Sequence, residues 1–258
     1  MYNTTHEIVT NIKQSKPLIL NITNEVTMGF VANGLLSIGA SPVMSRAPQE
    51  AMDLVTISKA VLINPGTLND AFILLCREVC MAANELGKPL ILDPVGAGAS
   101  QYRTLHCRRM LEEFNPAIIR GNASEIMALL GKALSTKGVD SVMDVQLAVE
   151  SAQTLAQKHN TTVVISGAVD AIVDSNGVEY VNHGSSIMPM ITGTGCLLSA
   201  VVGAFRAVHD HSFDASVAAT LFYSVCGELA ERQTSKPGTF KTCFLDALSL
   251  LPERGDYA

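Results

Sequence analysis

The sequence predicts an α/β fold with a mainly parallel central sheet, helices on both faces and a small antiparallel hairpin. Short apolar runs without a polar break recur along the chain, as expected of parallel strands that are covered on both faces. The stretches between these runs are long enough to hold the crossover helices that parallel strands require. In the C-terminal half, two short runs flank a tight-turn signal, which adds the antiparallel element.

Five apolar runs are predicted to be the parallel strands. In chain order they are Pro17–Ile22, Ala60–Ile63, Pro89–Leu92, Ala117–Ile119 and Val163–Ile165. The clearest helix between them is Leu68–Leu86, with an apolar stripe that includes Leu74, Val79 and Leu86. Gly87 is predicted to end this helix, and the proline that follows opens the next strand.

The C-terminal third changes from parallel strands to a hairpin and then to helices. Ala171–Val173 and Val178–Val181 flank a turn whose Asn-Gly pair favours a two-stranded hairpin. Cys196–Leu251 predicts three packed helices with alanine-rich faces. Because the chain shows no internal repeat, linker or low-complexity tract, residues 1–258 are predicted to form a single domain.

The composition indicates an apolar and acidic protein. Of its 258 residues, 48% are hydrophobic and 16% are charged, which is ample for a full core. The formal net charge of −6 argues against a nucleic-acid partner, because such a partner needs a basic surface. The densest basic cluster is Arg103, Arg108 and Arg109, and it is predicted to lie on a solvated helix face.

The cysteine pattern predicts a reducing compartment and neither disulfides nor a zinc site. The six cysteines form no CxxC pair and have no histidine at zinc-finger spacing. Cys76 and Cys80 lie one helical turn apart, which predicts two buried small hydrophobic side chains. The polar N-terminus, Met1–Lys16, lacks an apolar signal segment, so the chain is expected in the cytoplasm.

One uncharged stretch, Gly184–Phe205, is long enough to be compared with a membrane span. Pro189, Gly193 and Gly195 interrupt it, together with several hydroxyl side chains. A loop that runs into a buried helix is therefore predicted, and no membrane partner is expected.

The segment TGTGC, Thr192–Cys196, opens that helix and is the first candidate for chemistry. Gly193, Thr194 and Gly195 can turn backbone N–H groups into one concavity, where the helix start adds partial positive charge. Such a nest suits a phosphate or a transferred phosphoryl group, although a tight turn into a packed helix fits the same residues. Cys196 is expected to have a lowered pKa there and to accept or orient a hydroxyl proton. A buried cysteine without a role is the alternative.

Three further polar segments directly follow predicted strands, and ligands gather beyond the carboxyl ends of strands in open α/β sheets. Asp93, in the segment LDPVGAG, can hold Mg²⁺ directly or through water, or it can stabilise a turn. Arg120 can neutralise phosphate oxygens. Glu125 can add a metal ligand, although Asn122–Glu125 also fits a capping box. Ser166 can meet nucleotide phosphates or begin a turn.

Taken together, these segments resemble the hydroxyethylthiazole kinases, a branch of the ribokinase-like superfamily. The matching segments are TNEVT at 23–27, ANGLL at 32–36, GASPVM at 39–44, LINPGT at 62–67, LDPVGAG at 92–98, IIRGNASEI at 118–126 and TGTGC at 192–196. The resemblance extends from about Pro17 to the C-terminus. The motifs GASPVM, RGNASE and GTGC in this order are jointly specific.

The resemblance implies ATP as the phosphoryl donor and Mg²⁺ as the cofactor. It implies that Arg120 and Ser166 bind ATP and that Asp93 and Glu125 lie near the metal. It also implies a homotrimer with sites between subunits.

The implied acceptor is 4-methyl-5-(2-hydroxyethyl)thiazole. By the resemblance, Met44 and Gly193 contact the thiazole, with Asn24 and Gly66 beside it. Cys196 takes the place where many related kinases carry an aspartate base. In a trimer, Met44 can serve a neighbour's pocket.

One segment departs from the family pattern. His183–Met190 reads HGSSIMPM where the family commonly shows an acid and a lysine, so the role of His183 stays open.

Three other functions are alternatives to a hydroxyethylthiazole kinase. They are a hydroxymethylpyrimidine kinase, an ATP-dependent dehydratase that repairs hydrated nicotinamide cofactors, and a non-catalytic nucleotide-binding protein. A cysteine in place of an aspartate after the glycines argues against the first two. Intact Asp93, Arg120 and Glu125 argue against the third.

Overall fold

The structure, a computed structural model, describes residues 2–132 and 142–257, with only the backbone described for 142–145. The single domain predicted for residues 1–258 stays a prediction, and its residues 133–141 lie outside the described part. The strands are β1 (Leu18–Ile22), β2 (Ser41–Met44), β3 (Ala60–Ile63), β4 (Leu90–Leu92), β5 (Ile118–Asn122), β6 (Thr162–Ser166), β7 (Asp170–Val173) and β8 (Val178–Val181). The helices are α1 (Tyr2–Ser15), α2 (Met28–Ile38), α3 (Ala51–Ile57), α4 (Asp70–Glu85), α5 (Gln101–Glu113), α6 (Ala123–Leu129), α7 (Val142–His159), α8 (Thr194–Arg206), α9 (Ser212–Glu231) and α10 (Pro237–Ser249).

The strands form one eight-stranded sheet in the order β2-β1-β3-β4-β5-β6-β7-β8. The first six strands in this order are parallel, and β7 and β8 are antiparallel additions at one edge. The turn between β7 and β8 is stabilised by Asp174, whose Oδ1 accepts the N–H groups of Asn176 at 2.7 Å and Gly177 at 2.9 Å. The predicted fold class and hairpin are confirmed.

Helices cover both faces of the sheet because successive strand residues point to opposite sides. In β1, for example, Ile19 belongs to one hydrophobic core and Leu20 to the other. The first core is built with α1, α2, α8, α9 and α10. The second is built with α3, α4, α5, α6 and α7.

Strand β2 is the element that the apolar runs did not reveal. It pairs only with β1, and each of its four residues is half-buried. Pro42 lacks an N–H group and interrupts the pattern, which is tolerated at the edge of a sheet. The five predicted strands are confirmed, and β5 and β6 extend further than predicted, to Asn122 and Ser166.

The predicted apolar stripe of α4 is wrong in part. Leu74 and Leu86 are 52% and 39% exposed, whereas Cys76 and Cys80 lie in the core. The helix begins one residue after Asn69, whose side chain accepts the Phe72 N–H at 2.9 Å. The prediction that the two cysteines act as buried hydrophobic side chains is confirmed.

The prediction of a solvated arginine face on α5 is also wrong in part. Arg103 donates to the carbonyls of the 65–66 segment, and Arg108 Nε donates to the Leu129 carbonyl at 2.9 Å. Only Arg109 is exposed. A guanidinium can satisfy backbone carbonyls of distant loops, and no local sequence pattern reveals such a contact.

The uncharged stretch from Gly184 folds as predicted, with a short 3₁₀ turn at Met188–Met190 followed by α8. Among the helices in the described part of the chain, none is both long enough and apolar enough to cross a membrane.

Candidate active site

The carboxyl ends of three neighbouring strands bring predicted residues together. Asp93 follows β4, Arg120 lies within β5, and Ser166 ends β6. These strands are adjacent and parallel, so their ends share one edge of the sheet. Arg120 Nη1 lies 3.9 Å from Asp93 Oδ2, and its Nη2 donates a hydrogen bond to the Ser166 hydroxyl. The arginine therefore joins all three strand ends.

The two oxygens of the fully buried Asp93 have different surroundings. Oδ2 accepts hydrogen bonds from Asn64 Nδ2 at 2.9 Å and from Ser199 Oγ at 2.7 Å. Oδ1 has no hydrogen-bond partner in the described part of the chain. Burial raises the pKa of Asp93 to about 7; the Arg120 charge opposes this rise and the Glu125 charge adds to it. A buried carboxylate with a free oxygen favours a nearby cation.

The start of α8 holds the glycines of the predicted nest, whose role in binding phosphate stays a prediction. Gly193 precedes the helix at a φ of +99°, a left-handed conformation that other residues adopt only with strain. A Cβ on Gly193 would lie 2.9 Å from the Thr27 side chain, and one on Gly195 would lie 2.8 Å from Arg120 Nη1. The Arg120 guanidinium thus rests directly against the helix start. Positive charge and N–H groups at one point suit a phosphoryl group.

Tyr223 on α9 fixes the first residue of α8. Its hydroxyl donates a hydrogen bond to the Thr194 carbonyl at 2.6 Å, and its buried ring meets the Phe244 ring edge-on with 4.9 Å between centroids. The Thr194 hydroxyl in turn donates to the Met188 carbonyl at 3.0 Å. The geometry of the nest is therefore set by contacts distant in sequence as well as by its glycines.

Cys196 lies in the first turn of α8, and its thiol meets the loop that follows β1. Asn24 Nδ2 donates to Cys196 Sγ at 3.3 Å. Burial raises the pKa of the Cys196 thiol, and the nearby Asp93 carboxylate raises it further. The prediction of a lowered pKa is wrong, because desolvation and a neighbouring negative charge outweigh the favourable helix start.

Glu125 uses both carboxylate oxygens in backbone hydrogen bonds. Oε2 accepts the Asn122 N–H at 2.9 Å, while Asn122 Oδ1 accepts the Glu125 N–H at 2.9 Å, which is a complete capping box. Oε1 accepts the Gly96 N–H at 3.0 Å and so ties α6 to the loop after β4. Each oxygen keeps a further lone pair.

A cavity of about 790 Å³ opens on one side of the nest. Its lining includes Arg120, Ser166, Thr194, Gly195 and Tyr223. A volume in this range accommodates a nucleotide-sized ligand. The predicted ATP-binding pair, Arg120 and Ser166, therefore faces the space that such a ligand needs.

The loop that departs from the family pattern forms one wall of this cavity. His183 Nδ1 lies 3.0 Å from Glu228 Oε1, and the same oxygen accepts the Gly184 N–H at 3.0 Å. His183 and Gly184 both line the cavity. The histidine thus secures the loop to α9, a pairing that sequence alone did not indicate.

Two of the residues predicted beside the acceptor, Asn24 and Gly66, contact each other, and neither is among the described residues that line the cavity. Asn24 is buried in the loop that follows β1, and a Cβ on Gly66 would lie 2.8 Å from the Asn24 side chain. Gly193 packs against the same loop through Thr27. Met44 stands apart from them, half-buried at the end of the edge strand β2.

Two residues near Asp93 were missed as site residues, although the sequence carried signals for both. Asn64 directly follows β3, so the rule that places Asp93 at a strand end applies to it equally. Ser199 lies three residues after Cys196 on α8, which puts both on one face of that helix. Both donate hydrogen bonds to Asp93 Oδ2.

Comparison with known proteins identifies one family by both a family model and individual relatives. A family model described as the hydroxyethylthiazole kinase family matches residues 9–254. A hydroxyethylthiazole kinase from Leptospira biflexa serovar Patoc is 44% identical over 237 residues, which cover 92% of this chain and 89% of that protein.

The fold comparison agrees. The solved structure of a hydroxyethylthiazole kinase protein from Pyrococcus horikoshii OT3 superposes with a TM-score of 0.88 at 35% identity and covers 96% of this chain and 93% of that one. A ribokinase-like superfamily protein from Enterococcus faecalis V583 has a TM-score of 0.65 at 14% identity, with 94% of this chain and 93% of that one covered, which shows likeness of fold alone.

Proposed function

The chain belongs to the hydroxyethylthiazole kinase family, and we propose that its site transfers the γ-phosphoryl group of ATP to the hydroxyl of 4-methyl-5-(2-hydroxyethyl)thiazole. The reaction is that of a phosphotransferase in thiamine salvage. The observation that carries the proposal is the start of α8, where Thr194 and Gly195 line the large cavity and the next residue, Cys196, contacts Asn24. Donor and acceptor would meet at the start of α8.

On the donor side, Arg120 and Ser166 would hold the phosphates of ATP. The guanidinium lies against Gly195 and donates to the Ser166 hydroxyl, which keeps its own proton to donate. The backbone N–H groups of the nest are preorganised by Gly193 and by the Tyr223 hydrogen bond. Since phosphoryl transfer demands mostly positioning and charge stabilisation, these groups supply the main part of catalysis.

On the acceptor side, Cys196 would face the reacting hydroxyl. Its raised pKa keeps the thiol protonated near neutral pH, so it orients the hydroxyl and does not act as a ready base. Asn24 fixes the sulfur, and the backbone at Gly66 and Gly193 would contact the ring. Met44 would contact the thiazole from the edge strand, in its own subunit or in a neighbour.

Asp93 and Glu125 would hold Mg²⁺. The fit is supported by Asp93 Oδ1, a buried oxygen without a partner among the described residues, and by the remaining lone pairs of Glu125. Carboxylate oxygens are the ligands that Mg²⁺ prefers, often with waters in between. The ion would neutralise phosphate charge, while Asn64 and Ser199 keep the Asp93 carboxylate in place.

We propose further that the protein is a cytoplasmic homotrimer with sites between subunits, as the family resemblance implies. Strand β2 lies at the edge of the sheet, and in the segment between β1 and β2 the side chains of Val26 and Leu36 are 72% and 59% exposed. An unpaired edge with apolar neighbours favours burial against another chain. The six cysteines are free, which fits a reducing compartment.

The acceptor assignment is tested by ADP release with Mg-ATP and a panel of alcohols. Release is expected to depend on hydroxyethylthiazole and to stay at background with hydroxymethylpyrimidine, because the segments around Met44 and Gly193 resemble those of the hydroxyethylthiazole kinases. The reverse preference would refute the thiazole assignment and leave the fold unaffected. Release with hydrated nicotinamide cofactors instead would indicate a dehydratase.

Replacing Cys196 by alanine is expected to lower kcat by about 10-fold, which is less than the roughly 10²-fold or more that a general base contributes, because the protonated thiol only orients the hydroxyl. The loss should be nearly constant between about pH 6 and pH 8, because a thiol with a raised pKa does not titrate in that range. Steady-state kinetics at several pH values measure it, and KM for ATP should not change.

Cys196→Asp and Cys196→Ser are the matched variants for this prediction. Both keep a polar group that can orient the hydroxyl, so each should retain more activity than Cys196→Ala. If Cys196→Ala has the same kcat as the parent enzyme, Cys196 has no role in catalysis, and the nest alone stabilises the transfer to the acceptor.

A further inference from the structure

Arg103 on α5 makes contacts that neither the charge pattern nor the family resemblance assigns to a role. Its Nη1 donates to the Pro65 carbonyl at 3.0 Å, and its Nη2 donates to the Gly66 carbonyl at 3.0 Å. The two nitrogens of one planar fork thus bind two consecutive carbonyls of the loop after β3. Such a paired contact fixes both the position and the orientation of the bound backbone.

The stem of Arg103 is packed against a second loop. Gly96, in the loop after β4, has a φ of +81°, and a Cβ there would lie 2.8 Å from Arg103 Cδ. The base of α5 is itself fixed, because Ser100 Oγ accepts the Arg103 N–H at 3.2 Å. A side chain held along its stem loses little further freedom when its head group binds.

The loop held by Arg103 is one contact away from the Asn24–Cys196 pair. Asn64 Oδ1 accepts the Gly66 N–H at 3.1 Å and also accepts Asn24 Nδ2 at 3.1 Å. Gly66 packs so closely on Asn24 that a Cβ would lie 2.8 Å from the Asn24 Cβ. Asn24 then donates to Cys196 Sγ at 3.3 Å.

We propose that Arg103 is a positioning residue that holds the 65–66 backbone against Asn24 and so sets the shape of the acceptor side of the site. The proposal rests on the proposed function, in which the alcohol binds beside Asn24, Gly66 and Cys196. Arg103 lies away from the nucleotide cavity, whose lining does not include it among the described residues. Because the Arg103 fork binds the 65–66 loop, its loss is expected to change KM for the acceptor more than KM for ATP.

The test is Arg103→Lys, which keeps the charge and most of the stem but cannot bind two carbonyls as a fork. KM for hydroxyethylthiazole is expected to rise about 10-fold or more, since a small displacement of a positioning group costs up to about 10²-fold. KM for ATP should stay within about twofold of the parent value. Both constants come from ADP release with one substrate varied and the other saturating.

Arg108→Lys is the matched control. Arg108 lies on the same helix and also binds a backbone carbonyl, that of Leu129, but it does not touch the 65–66 loop. The control should leave KM for hydroxyethylthiazole unchanged. If Arg103→Lys fails to fold, Arg103→Gln, which keeps part of the stem but has only one amide group to donate, replaces it and should give the same selective rise.

The possible outcomes distinguish a failure of the proposed function from a failure of the role proposed for Arg103. A parent enzyme that does not turn over hydroxyethylthiazole refutes the proposed function. A parent enzyme that does, together with an Arg103→Lys variant of unchanged acceptor KM, overturns the role of Arg103 alone. Equal rises in both KM values, or the same rise in Arg108→Lys, would show a general loss of structure and also overturn it.

Discussion

Replacement of Asp93 by asparagine is expected to lower kcat by about 10³-fold, because preorganised charge is the main source of catalysis at such a site. The amide keeps the shape of the side chain and removes the negative charge that would hold Mg²⁺ and balance Arg120. Asn64 and Ser199, which now donate to Oδ2, would face an amide that accepts through one oxygen only. Steady-state kinetics at saturating ATP and acceptor measure the loss.

Two other variants change the same site less than Asp93→Asn does and are expected to have smaller effects on activity. Ser199→Ala removes one hydrogen bond to Asp93 Oδ2 and leaves the carboxylate in place, so it should cost about 10-fold or less. Glu125→Gln should lose activity mainly at low Mg²⁺ and recover in part as Mg²⁺ is raised. An Asp93→Asn enzyme with kcat near the parent value would remove this carboxylate from the mechanism.

A capping role alone for Glu125 would give a different result. Its oxygens bind the N–H groups of Asn122 and Gly96, so a purely structural residue would lower the melting temperature of the Gln variant. Raising Mg²⁺ would then not restore activity. The melting temperature and the Mg²⁺ dependence together separate the two roles.

Replacement of Arg120 by alanine is expected to raise KM for ATP and to lower kcat by about 10³-fold, at the lower end of what a phosphate-binding arginine contributes in phosphoryl transfer. The guanidinium is the group that joins Asp93, Ser166 and the start of α8. Its removal also leaves a buried carboxylate without its positive neighbour, so the melting temperature should fall.

Arg109→Ala is the control for this prediction. It removes the same charge from an exposed position on α5 and should change neither kinetic constant. Arg120→Lys should recover only part of the activity, because a lysine lacks the fork that reaches two partners at once. An unchanged ATP dependence in Arg120→Ala would exclude Arg120 from the nucleotide site.

Local patterns in the sequence predicted the strand ends, and the structure brings those ends together. Asp93 follows β4, Arg120 lies near the end of β5 and Ser166 ends β6, and adjacent parallel strands bring such residues to one edge. The left-handed Gly193 before α8 also follows from the local sequence, because glycine adopts this conformation without strain, while the role of this turn as a phosphate nest stays a prediction. These features depend on residues close together in the chain.

The features that escaped prediction depend on contacts between distant segments. The direction of the Cys196 pKa shift is set by burial and by Asp93, both of which arise only in the folded chain. The carbonyl contacts of Arg103 and the pairing of His183 with Glu228 likewise join elements far apart in sequence. Strand β2 was missed for another reason, since Pro42 removes the usual strand signal at the sheet edge.

The central claim is that the nest passes a phosphoryl group from ATP to the thiazole alcohol. Phosphorus NMR of a reaction with Mg-ATP and hydroxyethylthiazole tests it most directly, because it identifies where the phosphate goes. We expect a phosphate monoester resonance of the thiazole alcohol that grows in equal amount with ADP and disappears in Asp93→Asn. Formation of ADP with inorganic phosphate and no monoester would contradict the claim.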